Sequence, residues 1–112
     1  MKLKFYHSRA STITISKDGT IRFKKNICDA YKIKIGGKIK VAVNEEEKEK
    51  QHIYLVPTHD KDPFGFKVTN QAGAIIKVGK LLKKYSISMP NKAEYKDFEH
   101  EGVVGIELTF KN

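Results

Sequence analysis

Along the first forty residues, hydroxyls and cations take turns with apolar side chains. Thr12, Thr14, Ser16, Thr20, Arg22, Lys24, Lys38 and Lys40 each adjoin an isoleucine, a phenylalanine or a valine. A period of two on a strand sends these polar groups to one face and their apolar neighbours to the other. Hydroxyls and cations on one face suit phosphate oxygens, and such contacts position a protein on a nucleic-acid backbone without reading bases. Lys25, Lys32 and Lys34 fall beside them, and Arg9 leads in. Residues 1–43 carry eleven Lys/Arg against two Asp/Glu, whereas residues 44–112 carry eleven of each, so the net charge of +9 rests on the N-terminal part. The expected nucleic-acid-binding set is therefore Arg9, Arg22, Lys24, Lys25, Lys32, Lys34, Lys38 and Lys40. The competing reading is a solvated lysine face that keeps a small domain soluble. The near absence of acids around these cations favours an anionic partner.

Other chemistry finds little support. The four histidines are His7, His52, His59 and His100. His59, Asp60 and Asp62 lack the paired Cys or His spacing of a metal site, so an exposed loop cluster is expected. Ser8, His52 and Asp60 come without a nucleophile-elbow motif. Cys28 reads as a small buried hydrophobe. Gly36-Gly37 is not followed by the Gly-Lys-Ser/Thr of a phosphate loop. Phe5, Tyr6, Phe64 and Phe66 have rings that could stack on bases, but their pattern fits core or edge-strand packing. No catalytic residue, metal or cofactor is expected, and the chain reads as a non-enzyme.

The elements that must position the basic set are short. Residues 2–6 read as an edge strand or a basic arm. Thr12 to Ser16 and Thr20 to Lys24 form alternating strands about Lys17-Asp18-Gly19, and Asp-Gly between such runs is a strong hairpin signal. Ile13, Ile15, Ile21 and Phe23 face inward, with Thr20, Arg22 and Lys24 outward. Residues 25–33 switch to helical spacing, with Asn26 as N-cap and Ile27, Ala30 and Tyr31 on the packed face. Gly36-Gly37 turns the chain into a strand over residues 38–43, with Ile39, Val41 and Val43 inward. Residues 44–51, NEEEKEKQ, read as a solvated hairpin loop. Ile53 to Val56 forms a strand that Pro57 ends. Phe64 to Thr69, Ala74 to Val78, Tyr95 to Phe98 and Val103 to Phe110 follow as strands. A helix over residues 79–86 packs through Leu81, Leu82 and Tyr85. Val104, Ile106, Leu108 and Phe110 share one face of the last strand.

The chain is of single-domain length and composition. Its lone cysteine cannot form an internal disulfide, which favours a reducing compartment. MKLKFYHSRA has no apolar core of signal-peptide length, and no run of 18 apolar residues suggests a membrane span. A cytoplasmic protein without membrane contact is expected. Sliding the chain by 54 positions pairs Gly19 with Gly73, Ile21 with Ile75, Tyr31 with Tyr85 and Ile33 with Ile87. The repeat covers about 11–57 and 64–111, joined by a linker at 58–63. The expected fold is α+β and mostly antiparallel β, with two similar ββαββ halves forming one pseudo-symmetric barrel-like domain over residues 1–112.

Residues 21–39, IRFKKNICDAYKIKIGGKI, resemble without gaps the hallmark stretch of AbrB/SpoVT-type DNA-binding domains, the swapped-hairpin or cradle-loop barrels. Ile21, Phe23, Lys25, Ile27, Tyr31, Ile33, Gly36 and Ile39 fit that pattern, as does Gly19 in the preceding turn. Lys24 stands where the family has proline, Cys28 where it has arginine and Gly37 where it has aspartate. Thr20 replaces the basic residue that commonly follows the turn glycine. The resemblance spans residues 11–56 and implies a barrel that binds DNA without catalysis, with transcriptional regulation as a role. The opening strands are also similar to coactivator- or Whirly-type proteins, whose curved sheets bind single-stranded DNA. The partner expected is nucleic acid, DNA ahead of RNA, with single-strand or RNA binding as the second reading. A structural or interaction module, such as a phage or toxin–antitoxin accessory, is the third. A homodimer is among the assemblies open to it.

Overall fold

The computed structural model describes residues 1–3, 12–48, 51–87 and 92–110. The alternating runs become β1 (Thr12–Ile15) and β2 (Thr20–Phe23), followed by α1 (Lys25–Tyr31), β3 (Lys38–Ala42) and β4 (His52–Thr58). Next come β5 (Gly65–Lys67), β6 (Thr69–Asn70), β7 (Ala74–Lys77), α2 (Gly79–Lys84), β8 (Lys92–His100) and β9 (Val103–Thr109). Asp18-Gly19 makes the first turn as expected: Gly19 takes φ +83°, and Ser16 N–H donates to the Thr20 carbonyl at 2.9 Å. The proposed arm over residues 2–6 falls largely outside the described residues.

Among the described residues, all nine strands belong to one antiparallel sheet in the order β5-β3-β4-β9-β8-β1-β2-β7-β6. Its two ends, β5 and β6, are separated in the chain only by Val68. The Val68 N–H donates to the Gly37 carbonyl at 2.9 Å, and its carbonyl accepts from Gly36 N–H at 2.8 Å. One short segment thus ladders to β3 on one side and to β7 on the other, and curls the sheet into a nearly closed barrel. Curling removes exposed edges that would otherwise recruit other chains. Inside lie Ile13, Ile15, Ile21, Phe23, Ile39, Ile53, Leu55, Ile76, Ile106 and Leu108, joined by Ile27 of α1 and Leu82 of α2. Each such side chain contributes about 1.5–3 kcal/mol by leaving water. The fold is α+β with few helices.

Several local expectations change. Strand β4 runs on through Pro57, which stands opposite Ile39. The β4–β9 ladder ends at Leu55, so at Pro57 one edge of β4 is open and the missing N–H breaks no bond there. Helix α1 starts at Lys25 with Lys24, not Asn26, at its N-cap. Ala30 is exposed, and the packed face is Ile27, Cys28 and Tyr31. Val104 is exposed because the β8–β9 hairpin outruns the barrel, its ladder to β4 beginning only at Ile106. The Tyr31 hydroxyl ties α1 to this hairpin by donating to Asp97. Burial first, then Asp97, push the Tyr31 phenol well above its ordinary range.

The order strand, strand, helix, strand, strand occurs twice. The 54-residue shift matches burial in part: Ile33 and Ile87 are both buried, as are Ile39 and Ala93. It fails in the strands before the helices. Ile21 lies in the core cluster, but Ile75 is buried outside it, opposite Arg22. A slip of one residue reverses the face of a strand, so an ungapped repeat cannot hold along the whole chain.

Candidate nucleic-acid interface

Strands β1 and β2 pair with Thr14 opposite Arg22 and Ile15 opposite Ile21. Cross-strand partners share a face, so the isoleucines that fill the core drive Thr14 and Arg22 to the outside. There the hairpin forms an open depression of about 440 Å³ lined by Thr14, Ser16, Lys17, Asp18, Thr20, Arg22 and Gln71.

The Arg22 guanidinium does not swing free. One of its terminal nitrogens donates to the Gln71 carbonyl and, at 2.9 Å, to the Ala72 carbonyl. The other nitrogens of the fork have no hydrogen-bond partner among the described residues. A guanidinium held in place by carbonyls offers a fixed positive fork, the geometry that suits bidentate phosphate contact. Ile75 lies opposite Arg22 on β7, and Thr69 of β6 lies opposite Ile75 on the other side.

Thr20 was expected to face solvent, but only 8% of it is exposed. Strand β7 pairs along β2 with Lys77 opposite Thr20, and the hairpin turn closes over the Thr20 N–H. That N–H lies 3.2 Å from Ser16 Oγ and 3.3 Å from Asp18 Oδ1. The Ser16 hydroxyl also donates to Asp18. This bond, followed by Thr20, holds the Asp18 carboxyl below its usual range. One anion therefore borders the depression, engaged by the turn, beside hydroxyls and two cations. Lys17, Gln71 and Lys77 join this face without having been singled out in the sequence. Lys17 reads there as a turn residue, and nothing local reveals that β7 lies beside β2.

The remaining expected cations do not gather here. Strand β3 is separated from β1 by β4, β9 and β8 on one side and from β2 by β5, β6 and β7 on the other, so Lys38 and Lys40 stand on a different part of the barrel. Both are tied to Asp62. The Lys38 ammonium donates to the Asp62 carbonyl at 3.0 Å, and that of Lys40 lies 3.1 Å from Asp62 Oδ2. Lys24, Lys25, Lys32 and Lys34 flank α1 and are exposed, whereas Arg9 lies outside the described residues. The single face expected from three N-terminal strands is thus split in two.

Asp62 itself departs from the exposed loop cluster expected of it. It is 5% exposed, accepts Phe64 N–H at 2.9 Å and accepts the Thr58 hydroxyl at 2.9 Å. The Phe64 N–H is the largest influence that lowers its carboxyl to about 2, with Lys40 and Thr58 assisting against burial. No group of three metal-ligating side chains occurs among the described residues. No helix among them is long and apolar enough to cross a membrane. Comparison with protein-family models, curated proteins and solved structures returns no match.

Proposed function

We propose that this protein is a non-enzymatic DNA-binding domain, with transcriptional regulation as its role, that grips the phosphate backbone through the outer face of the β1–β2 hairpin. The observation that carries this reading is Arg22, fixed by two loop carbonyls at the edge of a depression lined with Thr14, Ser16, Thr20 and Lys17. Hydroxyls and a held guanidinium favour phosphate over a bulky apolar ligand. Lys24 and Lys77 extend the positive surface on either side. The AbrB-type resemblance agrees with a hairpin-led barrel. On this reading the two ββαββ units wrap around one core, with their outer strands offset by one residue.

Salt titration of a short duplex tests it. About 5 phosphate contacts give a log–log slope of roughly −4 to −5. Arg22→Glu is expected to weaken duplex binding about tenfold or more, as loss of a charged hydrogen bond should. Lys83→Glu removes the same charge from an exposed helix position and is expected to change binding far less. Equal losses from both, or a flat salt response, overturn the reading.

A further inference from the structure

The most exposed aromatic ring among the described residues is Phe64, 81% of which faces solvent. It sits where β4 crosses to β5, on a loop that Asp62 locks. The Asp62 carboxylate takes the Phe64 N–H, the Thr58 hydroxyl and the Lys40 ammonium, while its carbonyl takes the Lys38 ammonium. A buried carboxylate with this many partners is a costly way to shape a loop whose product is a ring in water. The ring contributes little to folding, yet the backbone that carries it is tied to Asp62. Lys67 stands directly opposite Lys38 on the neighbouring strand, so both occupy one face, and Gly65 leaves room for the Lys38 stem to lie across it. Lys61 and Lys67 flank Phe64 in the chain, while Lys38 and Lys40 are engaged by Asp62.

The geometry points to a second contact at Phe64 for single-stranded nucleic acid, with an unpaired base stacking on the ring and phosphates meeting Lys61 and Lys67. Every base has a π-face, so a single ring among cations favours unpaired strands without choosing a sequence. The backbone beneath the ring is already fixed by the Phe64 N–H bond to Asp62, so the loop loses little freedom on binding. A duplex keeps its bases stacked inside and has no face to offer this ring. The site uses none of the hairpin's residues: round the closing side of the barrel, β5, β6 and β7 lie between β3 and β2, the strand that carries Arg22. It deepens the DNA-binding reading while resting on separate residues.

The chain has no tryptophan, so Phe64→Trp installs a single reporter. An oligothymidylate of about 12 nucleotides is expected to quench its emission, and an abasic phosphodiester chain of the same length is not. In the full chain, Phe64→Ala should weaken oligothymidylate binding about tenfold while leaving duplex binding intact. Arg22→Glu should do the reverse, so either site can fail without the other. Unchanged Trp emission at saturating oligothymidylate overturns the proposal. So does unchanged affinity of Phe64→Ala. Emission that responds to protein concentration and not to the oligonucleotide would assign the ring to contact with a second copy, and also overturns it.

Discussion

Gly19 and Gly79 meet backbone to backbone: a Cβ on Gly19 would lie 2.4 Å from the Gly79 Cα. The Gly19 carbonyl accepts the Val78 N–H at 2.9 Å, so the first hairpin turn docks onto the entry to α2. A Cβ on Gly79 would in turn stand 2.4 Å from the Asp18 carbonyl oxygen. The turn that shapes the basic depression is thereby anchored to the start of α2, some sixty residues on in the chain.

Gly19→Ala should therefore destabilise the fold by about 2–5 kcal/mol, because backbone strain and overpacking add. Gly36 is the control. It also has positive φ, +93°, but nothing lies within 4 Å of a Cβ there. Gly36→Ala should cost only about 1–2 kcal/mol. Urea unfolding of the two variants separates conformational strain from close approach. Equal losses would mean that the Gly19–Gly79 contact contributes nothing.

Asp62 makes stability depend on acid. Its folded-state value of about 2 lies below the ordinary 3.8, so the unfolded chain binds its proton first as pH falls. The stabilisation is complete above 3.8 and is lost as pH drops through about 2. Thermal melts between pH 5 and pH 2, roughly the window where such carboxylates titrate, should show the wild type losing more stability than Asp62→Asn. A constant gap between the two across that range would show that Asp62 acts through shape alone.

The parts of the chain before and after the β4–β5 loop should not fold separately. Ladders β1–β8, β2–β7 and β4–β9 all join the first part to the second. A chain cut between His59 and Asp60 is expected to yield fragments that lack stable structure alone. Mixed in equal amounts, they should recover sheet circular dichroism and a cooperative melt. If the fragment over residues 1–59 folds as a monomer, the shared core is wrong.

The split of the basic set shows what local pattern carries. Period-two alternation correctly assigned Ile13, Ile15, Ile21 and Phe23 to the core, since burial of a strand face is written into every second residue. Asp18-Gly19 marked the hairpin for the same local reason: few residues tolerate its positive φ. The sequence likewise showed Arg22 pointing away from the core, but not the carbonyls of Gln71 and Ala72 that hold it.

Strand order was beyond local reading, because backbone ladders use the same N–H and C=O groups whichever strands meet. Nothing in residues 38–42 announces that β3 lies between β4 and β5 and not beside β2. Lys38 and Lys40 looked equivalent to Arg22 by composition, yet only tertiary structure brought Asp62 under them. Phe64 read as a packing residue because apolar character alone predicts burial. Its exposure follows from the loop that Asp62 closes, a contact across 22 to 24 residues of chain to Lys40 and Lys38 that has no signature in spacing.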